Sequence, residues 1–277
     1  MTGINRYRNG MLKIITVFFI LFLFACQVSG GGRDPKSFSF VQMTDTQLGF
    51  GGYAHDLQTF EQAVKQINEL KPDFVIICGD LVHVPHDSSY ADFIRIREKF
   101  SMPCYCVPGN HDMGKLPDDK TSLVLYRKVI GKDYYSFRHK GYSFIITNTQ
   151  LWKADVKNES ARFDTWFMET LRKLAKKGHP LFVMGHIPLY VSDPEEKQEY
   201  FNFDPPKRKE VLDLFTENNV IAYLSGHTHK LVCNDYEGVQ LVSCETTSNN
   251  FDKRPFGFRV WKVTSGSVSH CFIPLEL

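Results

Sequence analysis

The residues able to do chemistry sit in short polar bursts, each directly after an apolar run. Phe38 to Met43 leads into Thr44-Asp45-Thr46-Gln47, and Phe74 to Cys78 into Gly79-Asp80. Cys104 to Val107 leads into Gly109-Asn110-His111-Asp112, Leu181 to Met184 into Gly185-His186, and Val220 to Leu224 into Gly226-His227-Thr228-His229. Carboxylate and amide oxygens mixed with imidazoles suit Fe, Mn or Zn better than Ca or Mg alone. A two-metal site takes about seven or eight protein ligands and one bridging carboxylate, and the bursts supply about that number. Any one burst alone reads as a turn, a helix cap or a polar loop. Five in order, each at the end of an apolar run, point to one site assembled from strand ends.

The elements between them must place those ends together. Alternation over Ser37 to Met43 predicts a strand, and helical spacing of Leu57, Phe60, Val64, Ile67 and Leu70 predicts a helix stopped at Lys71-Pro72-Asp73. The continuous apolar run at Phe74 to Cys78 predicts a buried strand. Helices are expected over Tyr90 to Phe100, Leu123 to Ile130, Asp164 to Lys177 and Lys207 to Asn218. A strand pair is expected at Tyr134 to Phe137 and Ser143 to Thr147, a hairpin over Leu231 to Val242, and two more strands near the end. Buried strands alternating with helices predict an α/β domain, and the antiparallel-looking end predicts a mixed sheet. Open α/β sheets bind ligands beyond the carboxyl ends of their strands.

Asp45, Gly79-Asp80, Gly109-Asn110-His111-Asp112, Gly185-His186 and Gly226-His227-Thr228-His229 together resemble the calcineurin-like metallophosphoesterase superfamily. The resemblance runs from about Phe40 to the C-terminus. A subgroup that includes an animal cytosolic Ser/Thr phosphatase is suggested by Asp45-Thr46-Gln47, Cys78 to His83, His186 to Leu189, Glu199 to Phe203 and Phe256 to Arg259. The superfamily implies two packed mixed β-sheets flanked by helices, a four-layer sandwich with two metals at the strand ends. Carried over position by position, it implies that Asp45, Asp80 and His229 hold the first metal. Asp80 bridges to a second held by Asn110, His186 and His227. A hydroxide between the metals would attack phosphorus, and His111 would protonate the leaving alkoxide. Asp112 either orients His111 as an acceptor or caps the turn. Position 47 departs from the pattern: most members carry His, and here Gln47 offers either an amide oxygen that favours Mn or Mg over Fe or Zn or a hydrogen bond to its own loop. The implied cofactors are two divalent or mixed-valence ions drawn from Mn, Fe, Zn and Mg.

Other polar residues keep two readings. His55, His139, His179 and His270 read as surface or packing residues, while His83 reads either so or as facing the cleft. Asn148 and Gln150 read as turn amides or substrate contacts. The stretch Asp193 to Asp204, with Glu195, Glu196, Tyr200 and Phe203, reads as a solvated loop or a lid.

Arg6, Arg8 and Lys13 precede an apolar run of 12 residues, Ile14 to Ala25, too short to span a bilayer as a helix. This reads as an export signal. Leu23-Phe24-Ala25-Cys26 resembles the bacterial lipobox, which implies cleavage before Cys26 and lipid on it. Residues 1–25 are then signal, 26–36 lipidated Cys and flexible tether, and 37–277 the phosphoesterase domain. The expected location is the exported side of a bacterial cell envelope. Without its first 25 residues the chain carries 30 of its 33 basic residues against 31 acidic ones. Acyl chains rather than a basic surface would hold it to the membrane, and a formal charge of +2 on the full chain indicates no nucleic-acid-binding face. With 43% hydrophobic and 23% charged residues, disorder and multiple membrane spans are excluded. Cys78, Cys104 and Cys106 read as small hydrophobes. Cys233 and Cys244 flank the expected hairpin turn, where a disulfide is one reading.

These features predict a metal-dependent hydrolase of phosphate esters, a phosphomonoesterase by the subgroup likeness. A phosphodiesterase and a non-catalytic, lipid-anchored metal- or phosphate-binding protein are the alternatives.

Overall fold

Every strand whose end carries a predicted ligand runs parallel to at least one neighbour in its sheet, so within each sheet those carboxyl ends share one edge. The computed structural model describes residues 36–113, 120–154, 156 and 158–277; the export signal and Cys26 lie outside them. The first sheet contains β1 (Phe38–Met43), β2 (Phe74–Cys78), β3 (Cys104–Val107), β10 (Gly257–Thr264) and β11 (Ser267–Pro274), in the order β11-β10-β1-β2-β3. The second contains β4 (Tyr135–His139), β5 (Tyr142–Ile146), β6 (Leu181–Met184), β7 (Val220–Ser225), β8 (Val232–Tyr236) and β9 (Val239–Ser243), in the order β4-β5-β6-β7-β9-β8. Pairs β1–β2, β2–β3, β5–β6, β6–β7 and β7–β9 are parallel, while β10, β11, β4 and β8 add antiparallel strands. Both sheets are therefore mixed, as expected.

Strand register explains why the sheets stack. In the first sheet Phe40 lies opposite both Phe74 and Trp261, and its ring stacks on theirs at 5.0 and 5.8 Å. In the second, Phe144 lies opposite Phe137 and Phe182, with stacks of 4.8 and 5.0 Å. The two rows meet edge to face, Phe40 on Phe182 at 5.4 Å and Phe74 on Phe144 at 5.1 Å. Each such ring buries ~150–250 Å², so this inter-sheet layer is a large share of the core.

Helices cover the outer faces. Helices α1 (Tyr53–Leu70), α2 (Asp87–Arg97) and α3 (Lys120–Val129) cover the first sheet, with Phe60, Ile67 and Phe93 against Val41 and Val75. Helices α4 (Gln150–Lys153), α5 (Glu159–Ala175) and α6 (Pro205–Glu217) cover the second, with Phe163, Phe167 and Phe215 against Val183 and Tyr223. The result is the four-layer sandwich. Helix α1 stops where expected, at Lys71 in the left-handed region with φ 51, because Pro72 cannot continue it. Short α4 carries no periodic signal and was not expected. The hairpin turns at Glu237-Gly238, but Cys233 sits opposite Val242, and Cys233 and Cys244 are both free thiols. Cys244 lies beyond the end of β9, out of register with Cys233, so the disulfide reading fails on geometry.

One buried polar side chain ties the sheets together below the ligand edge. On β1, Gln42 donates from Nε2 to the carbonyls of Ser225 and Val242 in the other sheet at 2.9 and 3.0 Å. Its Oε1 accepts from Trp261 Nε1 at 2.9 Å. All three of these bonds are buried, so cutting any one leaves an unpaired polar group.

Candidate metal centre

Leaving the strands costs the backbone strain at the ligand positions. Asp45, Gln47, Asp80, His227 and His229 all have positive φ, at 50, 34, 50, 68 and 52. Such conformations cost ~1–3 kcal/mol each for non-glycine residues and persist where surroundings enforce them. Here the enforcing contacts are visible. A Cβ at Gly109 would collide with the Asp80 carboxylate, and one at Gly226 with the Thr44 hydroxyl beside Asp45. Glycine at these two positions lets neighbouring loops close on the carboxylates.

The imidazoles are pinned by backbone carbonyls at one nitrogen, which turns the other inward. Nδ1 of His186 donates to the Cys78 carbonyl at 2.8 Å. Its Nε2 then faces Asp80 Oδ2 at 3.2 Å and Asn110 Oδ1 at 3.0 Å. His227 is held through Nε2 by the Tyr200 carbonyl at 3.1 Å, and His229 through Nδ1 by the Asn249 carbonyl. His229 Nε2 is left 3.2 Å from Asp45 Oδ1. Asp80, His186 and His227 each bring one donor atom within 4.8 Å of the others'. Carbonyl-pinned imidazoles are the arrangement that metal-binding histidines adopt.

Ligand-type atoms therefore converge at this edge. Asp45 Oδ1 and Gln47 Oε1 are buried acceptors with no hydrogen-bond partner. Burial would raise the Asp80 carboxyl, but the neighbouring His186 charge holds it well below the usual range. Burial would lower His186, but Asp80 pushes it up to about 9. Burial together with His186 pulls His227 down to about 3. Unpartnered acid and amide oxygens beside inward imidazole nitrogens, whose protons a cation would displace, fit divalent cations. The residues that fit are Asp45, Gln47, Asp80, Asn110, His186, His227 and His229.

His111 stands beside this group. Its backbone N–H donates to Asp80 Oδ1 at 2.9 Å, and its ring stacks on His83 at 4.8 Å. The ring nitrogen Nδ1 is bonded to the His83 carbonyl at 3.0 Å. Asp112 does not orient it, which corrects the first of its two readings. The Asp112 carboxylate is fully occupied by the backbone N–H groups of Gly109, Leu81 and Val82, at 2.8, 3.0 and 3.3 Å. Asp112 therefore ties the β3 loop to the β2 loop and places His111 only through the chain.

A cleft of about 740 Å³ opens over the centre, walled by His83, Asn110, His111, Lys153, Tyr200 and His227, among others. Its far side is the loop from Val191 to Asp204. Glu196 knits that loop, accepting from Val191 N, Ser192 N and Asn202 Nδ2. Burial would raise its carboxyl, but the Asn202 and backbone bonds pull it down to about 2. Fully buried Arg208 donates to the carbonyls of Leu189, Pro194, Glu196 and Phe203. The stretch is thus a braced wall, with the Tyr200 ring tilted against His227 at 4.7 Å, Phe203 buried, and Glu195 at the surface.

The remaining expectations divide. His83 and Gln150 line the cleft, whereas Asn148 is buried and donates to Asp133. His55 pairs with Asp56, His139 with Asp73, His179 with Arg138 and His270 with Arg259, all away from the centre. Sequence reasoning missed Phe251, stacked on His229 at 4.5 Å, and Phe50, 5.4 Å from the same ring. It also missed Lys153. None of the three follows a strand-end pattern.

Such a fold and edge define a class of phosphate-ester hydrolases. Residues 38–231 match the calcineurin-like phosphoesterase family, and the chain belongs to it. It is therefore a hydrolytic phosphoesterase of a family that uses divalent metals. The chain is 31% identical over 267 residues to the serine/threonine-protein phosphatase CPPED1 of Bos taurus, covering 86% of this chain and 84% of that one. The human protein of the same name is 29% identical over 262 residues, 88% of this chain and 82% of that one. In fold it is similar to a dimetal phosphatase from Danio rerio, with TM-score 0.63 at 14% identity over 85% of this chain and 95% of the other.

Proposed function

We propose that this chain is a dinuclear phosphomonoesterase. Asp45, Gln47 and His229 hold one cation, Asn110, His186 and His227 the other, and Asp80 lies between. The observation that carries this reading is two buried acceptors without hydrogen-bond partners, Asp45 Oδ1 and Gln47 Oε1, together with His186 Nε2 turned to Asp80 Oδ2 and Asn110 Oδ1 at 3.2 and 3.0 Å. Bound divalent ions supply Lewis acidity to phosphate oxygens and a water acidified into a nucleophile. The protein's part is positional. Asn110 contributes a neutral oxygen and so leaves net positive charge for a phosphate dianion. His111, its Nδ1 held by the His83 carbonyl, presents Nε2 as the proton donor to the leaving oxygen. The phosphatase names of the relatives support monoesters, and a phosphoprotein substrate is consistent with them.

Mn-loaded residues 27–277 should hydrolyse p-nitrophenyl phosphate faster than bis-p-nitrophenyl phosphate. The reverse order would make it a phosphodiesterase, and no turnover of either would make it a binding protein. Asp80→Asn should lose most activity and much of its metal. Unchanged metal content by elemental analysis would remove Asp80 from the bridging position.

From the sequence we further propose that Cys26 carries lipid and tethers the enzyme to the exported face of a bacterial envelope. The support is the basic start, the short apolar run and Leu23 to Cys26.

A further inference from the structure

We propose that the cleft beside His111 is a leaving-group subsite for an aromatic side chain, so that the preferred substrates are phosphomonoesters of the phosphotyrosine or benzyl type. The inference rests on the phosphomonoesterase reading, and in particular on His111 as proton donor.

If His111 protonates the leaving oxygen, whatever that oxygen carries must lie beyond His111, on the side away from the ligand cluster. That space is the cleft, since Asn110, His111 and His227 form its inner end. Beyond them its walls are largely apolar, with Val84, Pro85, Ala154, Ile187 and the ring of Tyr200 beside the polar His83, Gln150 and Lys153. Tyr200 is 59% exposed and Val84 45% exposed. Large apolar side chains held open to solvent at the mouth of a site mark a binding surface. They are held, not loose. The Tyr200 ring packs at a tilt against His227 at 4.7 Å, its hydroxyl accepts from Asn110 Nδ2 at 3.4 Å, and Lys153 Nζ lies 5.8 Å from the ring.

The polar groups of the cleft, among them the unpartnered Nε2 of Gln150, offer hydrogen bonds but little charge recognition. Among the described residues that line it there is no carboxylate, so nothing there recognises a cationic group. Lys153 is the lone ammonium among them, and its three N–H donors are directed at the carbonyls of Glu199, Tyr200 and Asn202, at 3.3, 2.6 and 2.9 Å. A second phosphate, as in a nucleoside di- or triphosphate, would find no uncommitted cation. A volume of about 740 Å³ is within the range of small-molecule pockets and admits a tyrosine side chain with flanking peptide. The subsite therefore selects an apolar, aromatic, singly phosphorylated group.

Rates cannot test this, because aryl phosphates have intrinsically good leaving groups. Inhibition by non-hydrolysable phosphonates can. With the Mn-loaded protein, benzylphosphonate and 2-hydroxyethylphosphonate are compared as competitive inhibitors of p-nitrophenyl phosphate hydrolysis. Benzylphosphonate should bind at least ~10-fold more tightly, the scale expected for burying one ring. Tyr200→Ala and Val84→Ser should each shrink that ratio severalfold while metal content, read by elemental analysis, stays at the wild-type value. Both positions are exposed, and Tyr200→Ala keeps the backbone carbonyl that holds His227. Equal inhibition constants for the two phosphonates, or a ratio untouched by both variants, would overturn the subsite while leaving the phosphatase intact. Loss of the ratio together with loss of metal would assign Tyr200 to the metal centre rather than to the leaving group. An absence of hydrolysis altogether would overturn the phosphomonoesterase reading itself, and the subsite with it.

Discussion

His111 and Gln47 are the residues whose roles separate chemistry from scaffolding. Neither side chain is consumed by the fold: the His111 ring faces the cleft with Nδ1 on a carbonyl, and Gln47 Oε1 has no partner. His111→Ala should keep its metal and lose ~10²–10⁴-fold in rate. The loss should shrink for esters with acidic leaving groups, which need no proton. Equal losses across a leaving-group series would contradict a proton donor. Gln47→His should remain active but shift its metal preference toward Fe or Zn relative to Mn or Mg, since imidazole nitrogen is softer than an amide oxygen. Metal titrations of activity for wild type, Gln47→His and Gln47→Ala check this, and identical curves would put Gln47 outside the metal shell.

At the scale of elements, the loop between β6 and α6 is the part most dependent on a single residue. Arg208 on α6 is fully buried and its guanidinium is satisfied by four carbonyls of that loop. Arg208→Met removes the charge but strands those acceptors, at ~1–3 kcal/mol for each one that stays buried. The expected result is a protein less stable by ~2–5 kcal/mol in urea unfolding, with weaker substrate binding because Tyr200 is no longer positioned. Stability within ~0.5 kcal/mol of wild type would mean that water replaces the guanidinium. Asp112 belongs to this scale too. It joins two loops through their N–H groups, and its apparent place in a catalytic pair was an accident of sequence adjacency.

For the whole molecule, the central question is where a metallophosphoesterase with an apolar cleft is held. If Cys26 is lipidated, wild-type protein should incorporate labelled acyl chains and fractionate with membranes, and Cys26→Ala should do neither. Recovery of Cys26→Ala as a processed, acylated membrane protein would refute the anchor. Among the described residues no helix is long and apolar enough to cross a membrane.

Much of the candidate site was legible because its residues directly follow strands that pair in parallel. A buried strand announces itself by a continuous apolar run, and the first polar residues after it must lie at the sheet edge. That local rule located Asp45, Asp80, Asn110, His186, His227 and His229 without coordinates. It also marked most helices, whose periodicity is a local property. What no local pattern carries is the meeting of segments distant in the chain. Tertiary structure alone decided that the His83 carbonyl, not Asp112, holds His111, that Gln42 bridges two sheets, and that the Tyr200 carbonyl orients His227. Each depends on hydrogen bonds between loops whose approach is set by side-chain packing, through the aromatic layer from Phe40 to Phe182 and the glycines that let loops touch. Adjacency in sequence sets composition at each strand end; only the packed sheets determine which of those atoms face one another.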